Sequence, residues 1–296
     1  MLLSLTLVAA DFEKMQEVVP AALEALAGAA LTVKASEPLG EAAMDIFVEG
    51  EDLSALRVQV RGSLARQRVD FCLQKAEGRR KRLLLADMDS TIIGCECLDE
   101  LADFAGLRAE ISAVTARAMA GEIAFEAALT ERVARLAGLE LTALEAAFSE
   151  RVRLNAGART LAATMAAHGA RCVLVSGGFD FFTSKVAAAA GFHAHRANRL
   201  LDDGARLTGE VAQPILGAEA KLATLMEETQ AMGIGLGETA AVGDGANDLA
   251  IIRAAGLGVA YHGKPILAEA ADAAILHTDL ASLLYFQGYG AEAFVR

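Results

Sequence analysis

The chain has 296 residues, of which 27 are Lys or Arg and 39 are Asp or Glu, so its formal net charge is −12. A hydrophobic share of 54% beside 22% charged residues describes a folded protein and excludes a disordered one. The acidic balance argues against nucleic-acid and anionic-membrane partners, because those surfaces need dense Lys and Arg. No apolar run approaches the ~20 residues that span a bilayer. Four scattered cysteines favour reduced thiols and a cytoplasmic location.

The first 75 residues predict two strand–helix units in the order βαββαβ, which is an α+β, ferredoxin-like arrangement. Strands are predicted over 2–9, 31–35, 44–48 and 69–73, and helices over 12–27 and 53–65. A run of charged residues at 77–82 then separates this unit from the rest of the chain. We therefore predict one domain over 1–79 and a second over 80–296.

The second domain begins with a buried-type strand at 83–86, and helical patterns follow over 98–153. Further strands are predicted at 171–175, 239–242, 257–260 and 273–276, with a hairpin over 192–211. Strands that alternate with helices predict an α/β fold with a doubly wound parallel sheet and helices on both faces. The helical block, about 95–155, would form a cap over the carboxyl ends of the strands, where such sheets bind ligands.

Four aspartates follow two of these strands. Asp87 and Asp89 come directly after the first core strand, while Asp244 and Asp248 lie in a glycine-rich loop after the 239–242 strand. Each pair alone fits a turn or a helix cap. If the sheet is parallel, however, all four meet at one crevice. Two carboxylates ~4 Å apart repel by about 4 kcal/mol at an effective dielectric of 20, so the set needs a cation. Oxygen ligands suit one Mg²⁺ ion.

A hydroxyl and exposed backbone N–H groups follow a third strand, in Ser176-Gly177-Gly178, which is a favourable place for a phosphate. Lys221 precedes the helix that leads into the Asp244 strand, although a solvated lysine is the commoner fate. Carboxylates, a metal ion, a lysine and a phosphate cradle together indicate phosphoryl transfer. No P-loop motif is present, and the glycines do not fit a dinucleotide site. A carboxylate nucleophile is the chemistry that remains.

The segments DMDST (87–91), SGGF (176–179) and GDGAND (243–248), with Lys221, resemble the four ordered motifs of the haloacid dehalogenase superfamily. The resemblance covers roughly residues 81–278 and implies a Rossmann-type core with an inserted helical cap. It implies that Asp87 is the nucleophile and Asp89 the acid and base. The metal ligands would be Asp87, the backbone carbonyl of Asp89, Asp244 and Asp248. Ser176, Gly177, Lys221 and Asn247 would bind the phosphoryl group.

Within the superfamily, the second aspartate of DMDST points to a phosphatase or phosphomutase, since dehalogenases lack that acid. Similarity further implies that the substrate is O-phospho-L-serine, hydrolysed in the last step of L-serine synthesis. Glu96 would then bind its ammonium and Arg132 its carboxylate, while Met119 and Phe125 would close an apolar wall. On residue type alone, the last three are packing or solvated positions. Another small phosphomonoester is the alternative substrate.

The N-terminal unit resembles an ACT-type regulatory domain by its element order alone. Its first strand–helix junction, residues 9–12, lacks the glycine that amino-acid-binding ACT domains usually have there. Because of that departure, the expected function of the unit is formation of a homodimer or a structural role. A hypothesis of a different class makes the chain an amino-acid sensor on a degenerate enzyme scaffold, and the four intact aspartates argue against it.

Overall fold

The computed structural model describes residues 1–119 and 122–295. Its N-terminal elements follow the predicted order, βαββαβ. They are β1 (Leu2–Val8), α1 (Phe12–Gly28), β2 (Val33–Gly40), β3 (Ala43–Glu49), α2 (Leu53–Leu64) and β4 (Asp70–Lys75). Alternate residues of β1 bury Leu3, Leu5 and Leu7 in one apolar cluster with residues of α1 and α2. The other face of β1 carries Ser4 and Thr6, which are also fully buried.

The remaining elements alternate strands with helices, apart from one helical block that follows the first strand. The strands are β5 (Leu83–Ala86), β6 (Arg171–Phe179), β7 (Ala194–Asn198), β8 (Leu200–Asp202), β9 (Leu207–Val211), β10 (Thr239–Gly243), β11 (Leu257–Tyr261) and β12 (Ala273–Ile275). The block comprises α3 (Cys97–Phe104), α4 (Arg108–Met119), α5 (Phe125–Ala134) and α6 (Leu141–Arg151). The other helices are α7 (Ala158–Ala167), α8 (Asp180–Ala190), α9 (Ala218–Met232), α10 (Leu249–Ala254), α11 (Pro265–Ala270) and α12 (Ser282–Phe286).

One sheet of ten strands runs through the molecule in the order β2-β3-β1-β4-β12-β11-β10-β5-β6-β7. The strands from β12 to β7 are parallel, which confirms the predicted α/β core. Alternate residues of β5 pack into opposite apolar layers, Leu84 on one side and Leu83 and Leu85 on the other. Burial on both faces explains why this strand is a continuous apolar run.

The predicted hairpin over 192–211 is wrong at its start. Residues 194–198 form β7 and extend the parallel sheet beside β6, whereas only β8 and β9 pair as a hairpin. Phe192 packs in the main core just before β7. The apolar–polar pattern of a short parallel edge strand resembles that of a hairpin strand, so the sequence does not separate them.

The N-terminal unit continues the core sheet through an antiparallel pairing of β4 with β12. At this junction the buried carboxylate of Asp70 accepts hydrogen bonds from the backbone N–H groups of Leu276, His277 and Thr278. Arg57 of α2 forms an ion pair with Asp272, just before β12. The predicted domain boundary at residue 79 falls in the loop between β4 and β5. A continuous sheet across it was not predicted.

The parallel order brings the ends of β5, β6 and β10 together, because β5 has β10 on one side and β6 on the other. Ligands bind at such a switch point in open α/β sheets. Helices α3–α6 stand at this edge and share the main apolar core with it. Within the described residues, no helix is long and apolar enough to cross a membrane.

Candidate active site

The end of β5 holds the predicted nucleophile, Asp87, which is only 4% exposed. Its backbone N–H donates to the carbonyl of Val242, which ties this strand end to β10. One carboxylate oxygen accepts the N–H of Met88 at 2.7 Å, and the other lies 2.7 Å from Nζ of Lys221. These contacts hold the carboxylate in one orientation at the floor of the crevice.

Asp89 is held by two donors from different elements. Its Oδ1 accepts the N–H of Cys97, at the start of α3, and its Oδ2 accepts the hydroxyl of Ser176, each at 2.9 Å. Burial, followed by the charge of Glu96, raises the pKa of Asp89 to about 7. A carboxyl group that titrates near neutral pH can both donate and accept a proton during one catalytic cycle.

The last residues of β6 need glycine where they approach Asp89. A Cβ added at Gly178 would lie 2.9 Å from the Asp89 carboxylate and 3.1 Å from the Ser176 hydroxyl. The N–H of Gly178 donates to the same hydroxyl at 2.8 Å. The SGGF segment therefore brings a hydroxyl and backbone close to the second aspartate.

Lys221 is a fully engaged cation beneath the crevice. The residue is only 2% exposed. Its ammonium lies 2.7 Å from a carboxylate oxygen of Asp87 and 2.7 Å from one of Asp248. Burial lowers the pKa of Lys221, but these two carboxylates outweigh that effect and raise it overall. The lysine therefore stays charged, and it offsets one of the negative charges that the strand ends bring together.

Three carboxylates form a cluster suited to a metal ion. Ligand atoms of Asp87, Asp244 and Asp248 lie within 4.8 Å of one another. Burial, and next the charge of Asp87, raises the pKa of Asp244 to about 6. Lys221 supplies a single positive charge for three carboxylates, so an excess of negative charge remains. Oxygen donors with this charge fit a hard divalent cation such as Mg²⁺. The side chain of Asp89, bonded to Ser176 and Cys97, does not join the cluster.

The cap contributes Glu96 and Arg132 to the same crevice. Glu96 accepts the hydroxyl of Ser90 at 2.7 Å. Arg132 donates to the carbonyl of Ala128 and lies 3.5 Å from the hydroxyl of Thr115. Within the described residues, no carboxylate lies within 4.0 Å of its guanidinium, although Asp99 and Glu96 are close enough to oppose, in part, the lowering of its pKa by burial. A half-buried guanidinium without an anion is suited to bind one.

The ring of Phe125 packs against two glycines of the core. A Cβ at Gly177 would meet its ring at 3.2 Å, and one at Gly217 would meet it at 3.5 Å. The ring remains 40% exposed, so it covers the crevice without being buried by it. Met119 ends α4, and its side chain lies outside the described part of the chain.

These groups surround a single cavity of about 410 Å³, a volume that suits a small phosphorylated metabolite. Among the predicted site residues whose side chains are described, it brings together all except Lys221 and Asp248, which lie beneath its floor. The lining residues are Asp87, Asp89, Glu96, Leu98, Asp99, Thr115, Phe125, Leu129, Arg132, Ser176, Gly177, Gly178, Phe179, Asp244, Gly245, Asn247 and Lys264.

Three supporting residues were not predicted. Thr91 donates to the Asp244 carboxylate at 3.3 Å, Ser90 donates to Glu96, and Thr115 contacts Arg132. Ser90 and Thr91 belong to DMDST, so their position beside Asp89 was the available signal. Ser90 also adopts φ 55°, a region that L residues rarely occupy. Thr115 carried no signal, because its role depends on how α4 packs on α5.

Comparison with known proteins agrees with this geometry. Residues 84–253 match the haloacid dehalogenase-like hydrolase family. The chain is 42% identical over 208 residues to a phosphoserine phosphatase of Polaromonas, covering 69% of this chain and 88% of that protein. The chain belongs to the haloacid dehalogenase-like hydrolase family. Its family membership and its similarity to phosphoserine phosphatases together show that the chain is a phosphoric monoester hydrolase.

Two solved structures extend the comparison. A probable phosphoserine phosphatase from Vibrio cholerae superimposes with a TM-score of 0.78 at 29% identity, over 98% of this chain and 88% of that one. A phosphoserine phosphatase described as a phospho-aspartyl intermediate analogue gives 0.64 at 37% identity, over 70% and 99%. The first similarity covers 98% of the chain and therefore includes the N-terminal unit, whereas the second covers 70% of it.

Proposed function

We propose that this hydrolase converts O-phospho-L-serine to L-serine and phosphate through an aspartyl-phosphate intermediate on Asp87. The observation that carries the substrate is Arg132, a half-buried cation without a carboxylate partner in the described structure, facing the same cavity as Asp87 and Asp89. A bidentate pair between guanidinium and carboxylate is the natural use of such a group. The relatives that act on phosphoserine support the same substrate.

The reaction divides into two displacements at phosphorus. In the first, a carboxylate oxygen of Asp87 forms a bond to phosphorus, the bond to the serine oxygen breaks, and Asp89 gives that oxygen its proton. In the second, water attacks the same phosphorus and loses a proton to Asp89, so that Asp87 and phosphate are released. Asp89 thus begins and ends the cycle protonated, which its pKa of about 7 supports.

The developing charge is offset by groups around the phosphoryl position. Ser176, the N–H of Gly177 and Asn247 would bind phosphoryl oxygens, and Lys221 would add positive charge from below. The carboxylates of Asp87, Asp244 and Asp248, with the backbone carbonyl of Asp89, would hold one Mg²⁺. When bound, Mg²⁺ supplies charge neutralisation for the carboxylates and the phosphoryl group.

The cap would recognise the amino-acid part of the substrate. Arg132 would bind the carboxylate and Glu96 the ammonium, while Phe125 and Met119 would cover the cavity. Glu96 is already oriented by Ser90, so little side-chain entropy remains to be lost when the ammonium binds.

In the cell, the proposed reaction would be the last step of L-serine synthesis. For residues 1–79 we propose an ACT-like domain with a structural or dimerising role, and its pairing with β12 supports the structural one. The homodimer and the cytoplasmic location stay predictions.

A phosphate-release assay tests the substrate directly. With Mg²⁺ present, we expect O-phospho-L-serine to be hydrolysed with a higher kcat/KM than O-phospho-L-threonine or a sugar phosphate, and we expect chelation to stop the reaction. Equal values for all three esters would reject the serine assignment and leave a general phosphatase of small phosphomonoesters.

A further inference from the structure

Lys264 stands at the mouth of the cavity, in the loop that follows β11. Its backbone N–H donates to the carbonyl of Asp244 at 3.0 Å, and Pro265 begins α11 immediately after it. These two features fix the backbone of Lys264 beside the metal-type cluster. The residue lies beyond the segment, 84–253, that matches the hydrolase family.

Among the residues that the structure describes, the ammonium of Lys264 has no ion-pair partner, unlike those of most lysines. Four of the seven lysines pair with a carboxylate, and these are Lys14, Lys34, Lys185 and Lys221. In the described part of the chain, no carboxylate lies within 4.0 Å of Nζ of Lys264, and the residue is exposed. Exposed lysines are common on protein surfaces, but Lys264 borders the reaction cavity.

The excess of negative charge in the cavity makes the positive charge of Lys264 important for an anionic substrate. Five carboxyl groups line the cavity, against two cations, Arg132 and Lys264; the carboxyl groups are those of Asp87, Asp89, Glu96, Asp99 and Asp244. With Asp89 protonated at the start of the cycle, four of them are negatively charged. A divalent metal ion would offset two of these charges and leave the entrance short of positive charge for a phosphate dianion. In a cleft, a single added charge acts strongly, because the surrounding protein screens less than water does.

Lys264 also lies apart from Ser176 and Gly177, the residues predicted to bind the phosphoryl group. In the sheet, β11 and β6 lie on opposite sides of the pair β10 and β5, so Lys264, just after β11, and Ser176, near the end of β6, flank the strand ends of β5 and β10 from opposite sides. We infer that Lys264 is a substrate-capture residue, whose ammonium attracts the phosphate group of an incoming ester before Ser176 and the N–H of Gly177 bind it. The inference rests on the proposed phosphatase function and assigns to this site a residue for its anionic substrate class.

The test compares Lys264→Gln with Lys75→Gln, which removes the same charge elsewhere. Lys75 is exposed and ends β4, which runs antiparallel to β12, so it lies at the opposite edge of the sheet. For Lys264→Gln we expect kcat/KM to fall roughly three- to tenfold, with kcat nearly unchanged and a weaker dependence of kcat/KM on ionic strength. Lys264→Arg should restore both values.

Two substrates separate capture from recognition of the amino acid. O-phosphoethanolamine has the phosphate and ammonium of phosphoserine but lacks its carboxylate. Because Lys264 acts on the phosphate, the fold-change should be the same for both esters. Kinetics identical to those of Lys75→Gln, or a fall in kcat with the salt dependence intact, would overturn the inference. A wild-type enzyme inactive on phosphoserine would instead reject the proposed function, and p-nitrophenyl phosphate would then test Lys264 by the same comparison.

Discussion

The two walls of the cavity differ in how their charged groups are satisfied. On the core wall, Asp87 and Asp89 each contact at least two donors, and Lys221 is buried between two carboxylates. On the cap wall, Arg132 has no carboxylate partner in the described structure, and Phe125 is 40% exposed. The core wall is therefore preorganised for a step that all phosphomonoesters share, whereas Arg132 on the cap wall is available to bind an anionic group of a ligand. In the proposed function, the core wall carries the chemistry and the cap wall the selectivity.

The sharpest test of the core wall is Asp87→Asn. Because the substitution removes the attacking carboxylate, we expect kcat to fall by about 10⁴-fold or more for every substrate. The side chains are nearly equal in volume, so circular dichroism and thermal melting should remain close to those of the wild type. Full activity in this variant would remove the covalent mechanism.

Asp89→Asn should separate substrates by their leaving groups. Loss of the proton donor is expected to reduce kcat about 10²- to 10⁴-fold for phosphoserine, whose alkoxide leaves poorly without a proton. The loss in the first displacement should be much smaller for p-nitrophenyl phosphate, because its phenolate leaves unprotonated. Rapid-mix measurement of p-nitrophenol release isolates that displacement. Equal losses for both esters would show that Asp89 does not act as the acid.

The cap wall is tested by Arg132→Ala. We expect kcat/KM for O-phospho-L-serine to fall about 10- to 100-fold, since a charge-assisted pair with the carboxylate is lost. O-phosphoethanolamine, which lacks that carboxylate, should be hydrolysed almost as before. A parallel loss for both esters would contradict the division between the walls, because Arg132 would then support the chemistry itself.

The smallest expected effect is a pH-dependent stabilisation by Mg²⁺. Asp244 has a pKa of about 6 in the fold and an ordinary value of 3.8, so the folded state holds more protons between these values. Its contribution to the free energy of unfolding therefore falls as pH rises through that range, and it stays low above the folded pKa. In the proposed site Mg²⁺ would bind the ionised carboxylate, so the ion should relieve this loss.

Thermal melts at about pH 5 and about pH 7.5 measure that effect. We expect Mg²⁺ to raise Tm by a few degrees more at the higher pH, and Asp244→Asn to reduce the difference. An equal rise at both pH values, retained in the variant, would place the metal elsewhere.

The sequence predicts the core wall well, because strand ends of a parallel sheet must meet. Residues 83–86 and 239–242 have the apolar pattern of buried strands, so Asp87 and Asp244 are expected at one edge of the sheet from their positions in the chain. The metal-type cluster follows from that topology. The residues themselves leave the position of Lys221 open, because a solvated lysine is the commoner fate, and only the family resemblance places it at the site. Local pattern and global fold agree here.

Other features depend on packing between distant segments and leave little local signal. Thr115 contacts Arg132 only because α4 packs against α5. The packing of Phe125 requires Gly177, near the end of β6, and Gly217, just before α9. The pairing of β4 with β12 joins residues about 200 positions apart, and such long-range pairing is not encoded in a local period. In the sequence, the roles of Glu96 and Arg132 are indicated by the family resemblance alone, whereas their place in one cavity comes from the structure.

The central claim is that phosphoserine transfers its phosphoryl group to Asp87. The most direct measurement is acid quenching of the enzyme during turnover of O-phospho-L-serine carrying radiolabelled phosphate, followed by counting the label bound to protein. We predict acid-stable, base-labile label on the wild-type chain and none on Asp87→Asn. Turnover without label on the wild type, or label retained in the variant, would contradict the claim.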